Sequence, residues 1–321
     1  MNLEQTLRIL MGAFLVQGLL AIITWWPSSD GPAQVRDLVE FDASDVTSIT
    51  VTGTVQRGEM PDTPVVLKRT DSGWQIPSMF GVEVLETKIE SLLETIDKLE
   101  ARRPIAENAY RHVDLDVADD QHARKLVIEK DGGEPVTVYF GSATGNAAHV
   151  RLAGENEVYK IRGVAGYSIS TASNQYFDRK ILDVDTGTVN EVAVARPDGS
   201  AFTFTKTDVG WDVSIEGPPG RVLDSIKASE FIGKLLTVEM REPIAQSTTP
   251  EMGFDSGTVV SWTTTEEGST VSNRYVVGNQ IDGDSGRFYL KIDGKNLVYD
   301  VMSPQVENAT TKPLTSLFVV Q

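Results

Sequence analysis

The sequence predicts an α+β protein. It is read as two tandem duplicated domains, each a mostly antiparallel sheet with one main amphipathic helix, preceded by a single transmembrane helix. Three observations predict this. The first is repetition. Ser72-Gly73-Trp74-Gln75-Ile76 returns as Val209-Gly210-Trp211-Asp212-Val213, and Arg103-Pro104-Ile105-Ala106-Glu107 as Glu242-Pro243-Ile244-Ala245-Gln246. Tyr139-Phe140-Gly141 returns as Val276-Val277-Gly278, and Val158-Tyr159-Lys160-Ile161 as Val298-Tyr299-Asp300-Val301. The four landmarks keep their order at offsets of 137 to 140 residues, the length of a domain rather than of a short solenoid unit. The second observation is strand-like alternation on both sides of one helical stripe in each copy. The third is an apolar run near the N-terminus, Leu7–Trp26.

That run spans 20 residues, with Gln17 the only strongly polar residue in its interior. A helix of this length covers about 30 Å, the hydrocarbon core of a bilayer. Trp25 and Trp26 stand where an interfacial aromatic belt belongs, and Pro27 ends the helix. A cleaved signal peptide is the rival reading, but its apolar region usually runs to only about 7–15 residues. Arg8 before the helix and Asp30 after it favour a cytoplasmic N-terminus and an exported body. The expected partition is an anchor and tether over 1–30, a first repeat over 38–175 and a second over 176–321.

In the first copy, Val46, Ser48 and Thr50 alternate with Thr47, Ile49 and Val51, and a second strand follows at Val65–Lys68. Thr70-Asp71-Ser72-Gly73 is a turn, and Trp74–Ile76 resumes the strand pattern. The second copy repeats this at Val189–Ala195, Ala201–Lys206 and Trp211–Ile215. The helix stripe is Leu85, Ile89, Leu92, Leu93, Ile96 and Leu99 in one copy. It is Leu223, Ile226, Phe231, Ile232, Leu235 and Leu236 in the other, and Pro104 and Pro243 are read as lying just beyond the helix ends. The back half of each copy is strand-rich, ending at Val158–Ile161 and Leu297–Val301. Tyr176–Asp183 joins the copies, and its aromatic and charged residues suggest that they pack on each other.

Composition narrows function. Over 321 residues the net charge is −17, which disfavours a nucleic-acid binder, because that class needs a basic surface to displace counterions. With no cysteine there is no disulfide, thiolate nucleophile or zinc-thiolate site.

The candidate sites are few. His112 and His122 flank an acidic run, Asp114, Asp116, Asp119 and Asp120, and His149 is the third histidine. Imidazole with carboxylate suits zinc or manganese, but the spacing matches no ligand motif and the second copy has no histidine. Asp282-Gly283-Asp284-Ser285-Gly286 has oxygen ligands two apart, yet it lacks the distant glutamate of a calcium loop and reads as a hairpin turn. Gly141-Ser142-Ala143-Thr144-Gly145 lacks the Lys-Ser/Thr ending of a phosphate-binding loop. Trp74 and Trp211, at matched hairpins, read as packing anchors. Arg102, Arg103 and Arg241 read as cations near helix carboxyl ends. No catalytic, cofactor-binding or metal-binding residue is assigned, and no cofactor is expected.

The chain resembles the domain-of-unknown-function family number 4340. The resemblance rests on the Gly73-Trp74 and Gly210-Trp211 hairpins and the elements Asp114-Leu115-Asp116 and Gly253-Phe254-Asp255. It rests further on the strand ends at Gly141 and Gly278, the Val-Tyr pairs at 158–159 and 298–299, and the Arg-containing segment Phe177–Leu182. It covers about residues 40–320, and the first copy departs from it with Asp114 where glycine is usual. The resemblance implies bacterial membrane-anchored proteins, often associated with ABC-2-type transporters and gliding-motility-type auxiliary proteins, and no enzymatic residues.

The expectation is therefore a non-enzymatic accessory or interaction protein of an ABC-type transport or envelope complex. It would be single-pass in the bacterial inner membrane, held in the bilayer by residues 7–26, with its C-terminal domains in the periplasm. A ligand-binding module for glycan, lipid or peptide is the alternative, and a hydrolase with unidentified carboxylates a further one.

Overall fold

The computed structural model describes residues 16–17, 35–56, 63–142, 145–164, 169–266 and 269–320. Of the apolar run Leu7–Trp26, Val16 and Gln17 are helical and the rest lies outside the described residues. Among the described residues no helix is long and apolar enough to cross a membrane.

The first half contains β1 (Arg36–Asp37), β2 (Val46–Thr52), β3 (Val65–Thr70), β4 (Gly73–Ile76), β5 (Val82–Glu83), α1 (Glu86–Asp97) and β6 (Glu100–Ala101). It continues with β7 (Val117–Ala118), β8 (Gln121–His122), β9 (Arg124–Lys130), β10 (Val136–Ser142), β11 (Ala147–Leu152) and β12 (Tyr159–Arg162). The second half contains β13 (Lys180–Asp183), β14 (Val189–Ala195), β15 (Ala201–Thr207), β16 (Gly210–Val213), β17 (Arg221–Leu223), α2 (Ser225–Leu236) and β18 (Thr237–Ala245). Then come β19 (Thr258–Glu266), β20 (Ser269–Ile281), β21 (Asp284–Ile292), β22 (Val298–Met302), α3 (Ser303–Thr310) and β23 (Phe318–Val320).

The protein is α+β, mostly sheet, with an eight-stranded and a nine-stranded main sheet. Seven strands run β12-β11-β10-β9-β2-β3-β4 in the first sheet and β22-β21-β20-β19-β14-β15-β16 in the second, one order used twice. Each half places its helix between the third hairpin strand and the strand-rich back half, as the sequence predicted. The helix buries one face against the sheet: Ile89, Leu92, Leu93 and Ile96 in α1, and Ala228, Phe231, Ile232, Leu235 and Leu236 in α2. One contiguous cluster of buried side chains runs through both halves. In the second half Phe231 packs on Phe202 and Phe204 with ring centroids 6.2 and 5.7 Å away. The wholly buried Tyr275 satisfies its hydroxyl by donating to the Leu235 carbonyl at 3.0 Å.

Several local expectations need correction. The strict alternation of β2 fails at its start, because a bulge between Val46 and Ser48 lets Val46 and Ile49 share the core. Ile226, placed in the apolar stripe of α2, is 73% exposed: it lies in the first turn, behind the Asp224 cap, on the side away from the sheet. Pro243 does not end the helix. It sits inside β18, opposite Tyr299 and beside a register shift, where the missing N–H is tolerated. Arg241 is drawn to Asp300 at 3.6 Å rather than to a helix end, while Arg102 and Arg103 are exposed.

The halves also differ at one edge. β5 pairs on the free side of β4, whereas β17, at the matching place, pairs with β23. β16 is thus an edge strand, and the outward N–H of Val213 is bonded to the Asp212 carboxylate at 2.9 Å.

Candidate functional site

The three histidines singled out in the sequence gather at the outer face of the first sheet, away from α1. Lys125, Tyr139 and Arg151 are neighbours across β9, β10 and β11, and Gly141 and His149 form the next row. Residues 105–122 fold over this face as a flap. Leu115 and Val117 pack with Tyr139 and Val158 in a small second core. The flap can sit so close because Gly141 has no side chain: a Cβ there would overlap the Leu115 carbonyl oxygen. Gly278 meets the Met252 carbonyl in the same way in the second half.

All three histidines hold this flap. His112 Nε2 lies 2.9 Å from the Asn156 carbonyl, His122 Nδ1 3.1 Å from that of Ala118, and His149 Nδ1 3.3 Å from that of Leu115. A carbonyl only accepts, so the facing nitrogen in each ring carries the hydrogen. His122 then keeps Nε2 as an acceptor, buried and with no partner among the described residues. Burial lowers the pKa of His122 and of His149, outweighing the carbonyl bonds, which raise it, and favours the neutral rings. Among the described residues no group of three or more acids and histidines is gathered as a metal cage.

Arg151 is 3% exposed and lies over the Tyr139 ring with its guanidinium carbon 4.5 Å from the centroid. It donates to the Val117 carbonyl at 2.7 Å and to the Asp119 carboxylate. The bond from Arg151 holds the Asp119 carboxyl below its ordinary value, and burial pushes the Tyr139 phenol up. His122 tilts against the same Tyr139 ring at 5.2 Å. In the second half Val276 and Lys291 occupy the paired positions of Tyr139 and Arg151. Lys291 donates to the Lys295 carbonyl much as Arg151 donates to that of Glu155. The stacked aromatic cluster is therefore a property of the first half.

The second half has a different charged centre. Asp300 is wholly buried on β22; its Oδ2 accepts from Arg287 at 2.7 and 3.1 Å, while Oδ1 has no partner among the described residues. The other sequence candidates are structural. Asp282 and Gly283, at φ 52° and 72°, make the two-residue turn between β20 and β21. Trp74 is buried beneath Arg69, and the half-buried Trp211 lies beneath Lys206, each cation coming from the paired residue of the preceding strand.

Among the described residues, three cavities lie beside the helices. In the first half one of about 180 Å³ lies between α1 and residues 169–176. In the second half a cavity of about 240 Å³ lies between α2 and α3 and adjoins a wider one of about 750 Å³. No local pattern in the sequence points to these twin positions.

A model of the family described as a domain of unknown function (DUF4340) matches residues 74–257, more than half of the chain. The chain belongs to this family. Its DUF4340 match begins at Trp74 in the first sheet and runs through α2 to Gly257, the glycine packed against the Val277 carbonyl. Membership carries no activity with it, since the family is defined as one of unknown function. No curated protein and no solved structure matches the chain.

Proposed function

We propose that this DUF4340 protein is a duplicated module on a membrane anchor, acting without chemistry of its own as an accessory or interaction protein of a transport or envelope complex. The observation that carries the reading is the apolar run Leu7–Trp26, of bilayer length, set before two sheets that share one strand order and one continuous core. An anchor followed by a rigid displayed body is suited to holding a partner at the membrane. The three histidines, the residue type most used for acid–base work at neutral pH, are committed to backbone carbonyls that hold the flap. That favours a scaffold over a hydrolase. Arg8 and the amino terminus at the start of the run, with Asp30 after it and Arg36 only later, also agree with a body exported to the periplasm.

The test is in-cell crosslinking of a C-terminally tagged full-length chain, followed by purification from membranes and mass spectrometry. The expected result is recovery of permease or ATPase subunits of a transporter, lost when residues 1–30 are replaced by a cleavable signal. Recovery of the chain alone, where a known membrane complex is captured in parallel, overturns the reading. A second reading, a ligand-binding module, is favoured by the paired helix-side cavities.

A further inference from the structure

The cavity between α2 and α3 differs in charge from its counterpart in the first half. Lys227, Phe231 and Lys234 lie along one face of α2, at positions i, i+4 and i+7, and Asn308, Lys312 and Leu317 face them. Phe231 and Leu317 are buried and form an apolar floor. Among the described residues, none of the three lysine ammonium groups has a carboxylate within 4 Å or a hydrogen-bond acceptor of its own. Glu230 is the one acid on the lining of this smaller cavity, so three lysines and one glutamate leave two positive charges there in a chain whose net charge is −17. Glu239 and Glu307 line the wider cavity beside it.

The wall is held in place. The buried Asn308 donates its Nδ2 to the Phe231 carbonyl at 3.1 Å and ties α3 to α2. Arg196 closes the end of α3 by donating to the carbonyls of Ala309 at 2.7 Å, Asn308 at 3.2 Å and Lys312 at 2.9 Å. In the first half, the helix positions matching Lys227, Phe231 and Lys234 are Lys88, Leu92 and Thr95. Ser91 stands at the place of Glu230, and no second lysine lines the cavity. The twin position thus keeps the shape and loses the charge.

We propose that this cavity binds a phosphate monoester group, with Lys227, Lys234 and Lys312 meeting its oxygens and the Phe231–Leu317 floor taking a short apolar part. A phosphate monoester carries about −1.5 to −2 charges at pH 7, which matches the excess on the lining better than a single carboxylate does. Lysine suits it as a rotatable point charge. The cavity of about 240 Å³ admits a phosphoryl group with a few attached carbons. The group could be free or the head of a lipid, and the two share this chemistry. The proposal does not rest on the membrane anchor.

The test is titration calorimetry on the full-length chain with two probes, inorganic phosphate and short-chain phosphatidic acid kept below its micellar concentration. Saturable binding of one or both is expected, weakened about tenfold or more in the Lys234→Gln/Lys312→Gln double variant, a loss of at least one unit in log Kd. The first-half variant Lys88→Gln should bind as the parent does. Tighter binding of phosphatidic acid would identify a lipid head, and equal binding a free phosphate ester; either supports the site. No saturable binding of either probe, or equal binding by the double variant, overturns it. Lys234 is exposed and Lys312 half-buried, and an unchanged melting temperature in the variant separates lost binding from lost fold.

Discussion

The carbonyl oxygen of Leu115 occupies the place that a Cβ on Gly141 would need. The flap over the first sheet therefore depends on one hydrogen atom. Gly278 and the Met252 carbonyl repeat the arrangement in the second half, 137 residues on. Gly141→Ala and Gly278→Ala should each destabilise the protein by about 1–3 kcal/mol, because backbone rather than a pliant side chain blocks the methyl group. Gly233→Ala, inside α2 with open space at its Cβ, should act in the opposite direction by about 0.5–1 kcal/mol. Urea denaturation of the three variants checks the signs.

The hairpin tryptophans are matched in sequence and unequal in burial. Trp74 is 9% exposed and Trp211 only half-buried. Trp74→Ala should cost about 3–5 kcal/mol, the range of large cavities in a core, and Trp211→Ala clearly less. Equal losses in chemical denaturation would contradict the packing described.

The flap should loosen in acid. His122 and His149 have native pKa values below the ordinary 6.5, because burial disfavours the charged ring. The unfolded chain then binds more protons than the native one once the pH drops below 6.5. Their contribution is complete above that pH and is lost as the pH falls through the native values. The urea midpoint should decline across this window, and His149→Gln should flatten the decline. A midpoint independent of pH there would refute it. Asp119, held low by Arg151, adds a similar loss at much lower pH, below its ordinary 3.8.

Arg151 should matter more than its ion pair. Its Asp119 partner has a side chain 75% exposed, whereas the guanidinium side chain is 4% exposed and bonded to the Val117 carbonyl. Arg151→Met should leave that carbonyl unsatisfied and cost about 1–3 kcal/mol. Asp119→Asn should change stability by less than about 1 kcal/mol, as an exposed partner does. Thermal melts of both variants decide the order.

What could be read from the sequence follows from the range of the interaction. Hairpins such as Thr70–Gly73 and Asp282–Gly283 depend on adjacent residues, and the stripe of α1 on residues three and four apart, so periodicity and turn chemistry reach them. The repeat also marked Gly141 and Gly278, though not the carbonyls that require them. Long-range pairings stayed hidden. His112 meets Asn156, 44 residues away, and His149 meets Leu115, 34 residues away, so no local spacing announces the flap. The equivalence of Asp114 with Gly253 was misplaced by two residues. The left-handed residue of this element in the first half is Asp116, at φ 54°, and it matches Gly253 at φ 70°. Both donate an N–H three residues back, Asp116 to the Val113 carbonyl and Gly253 to that of Pro250. An aspartate can hold this conformation through local hydrogen bonding, which conceals the match from a search for glycine. The charged cavity between α2 and α3 was equally out of reach, because Lys312, just past the end of α3, is distant in sequence from Lys227 and Lys234 on α2.

The most direct test of the central claim is protease accessibility in intact cells, in spheroplasts and after lysis, on a full-length chain tagged at both ends. A membrane-tethered exported body predicts that the chain stays with the membrane through alkaline extraction. It also predicts that the C-terminal tag is cleaved in spheroplasts while the N-terminal tag survives until lysis. Release by alkali, or a C-terminal tag protected until lysis, would contradict the account.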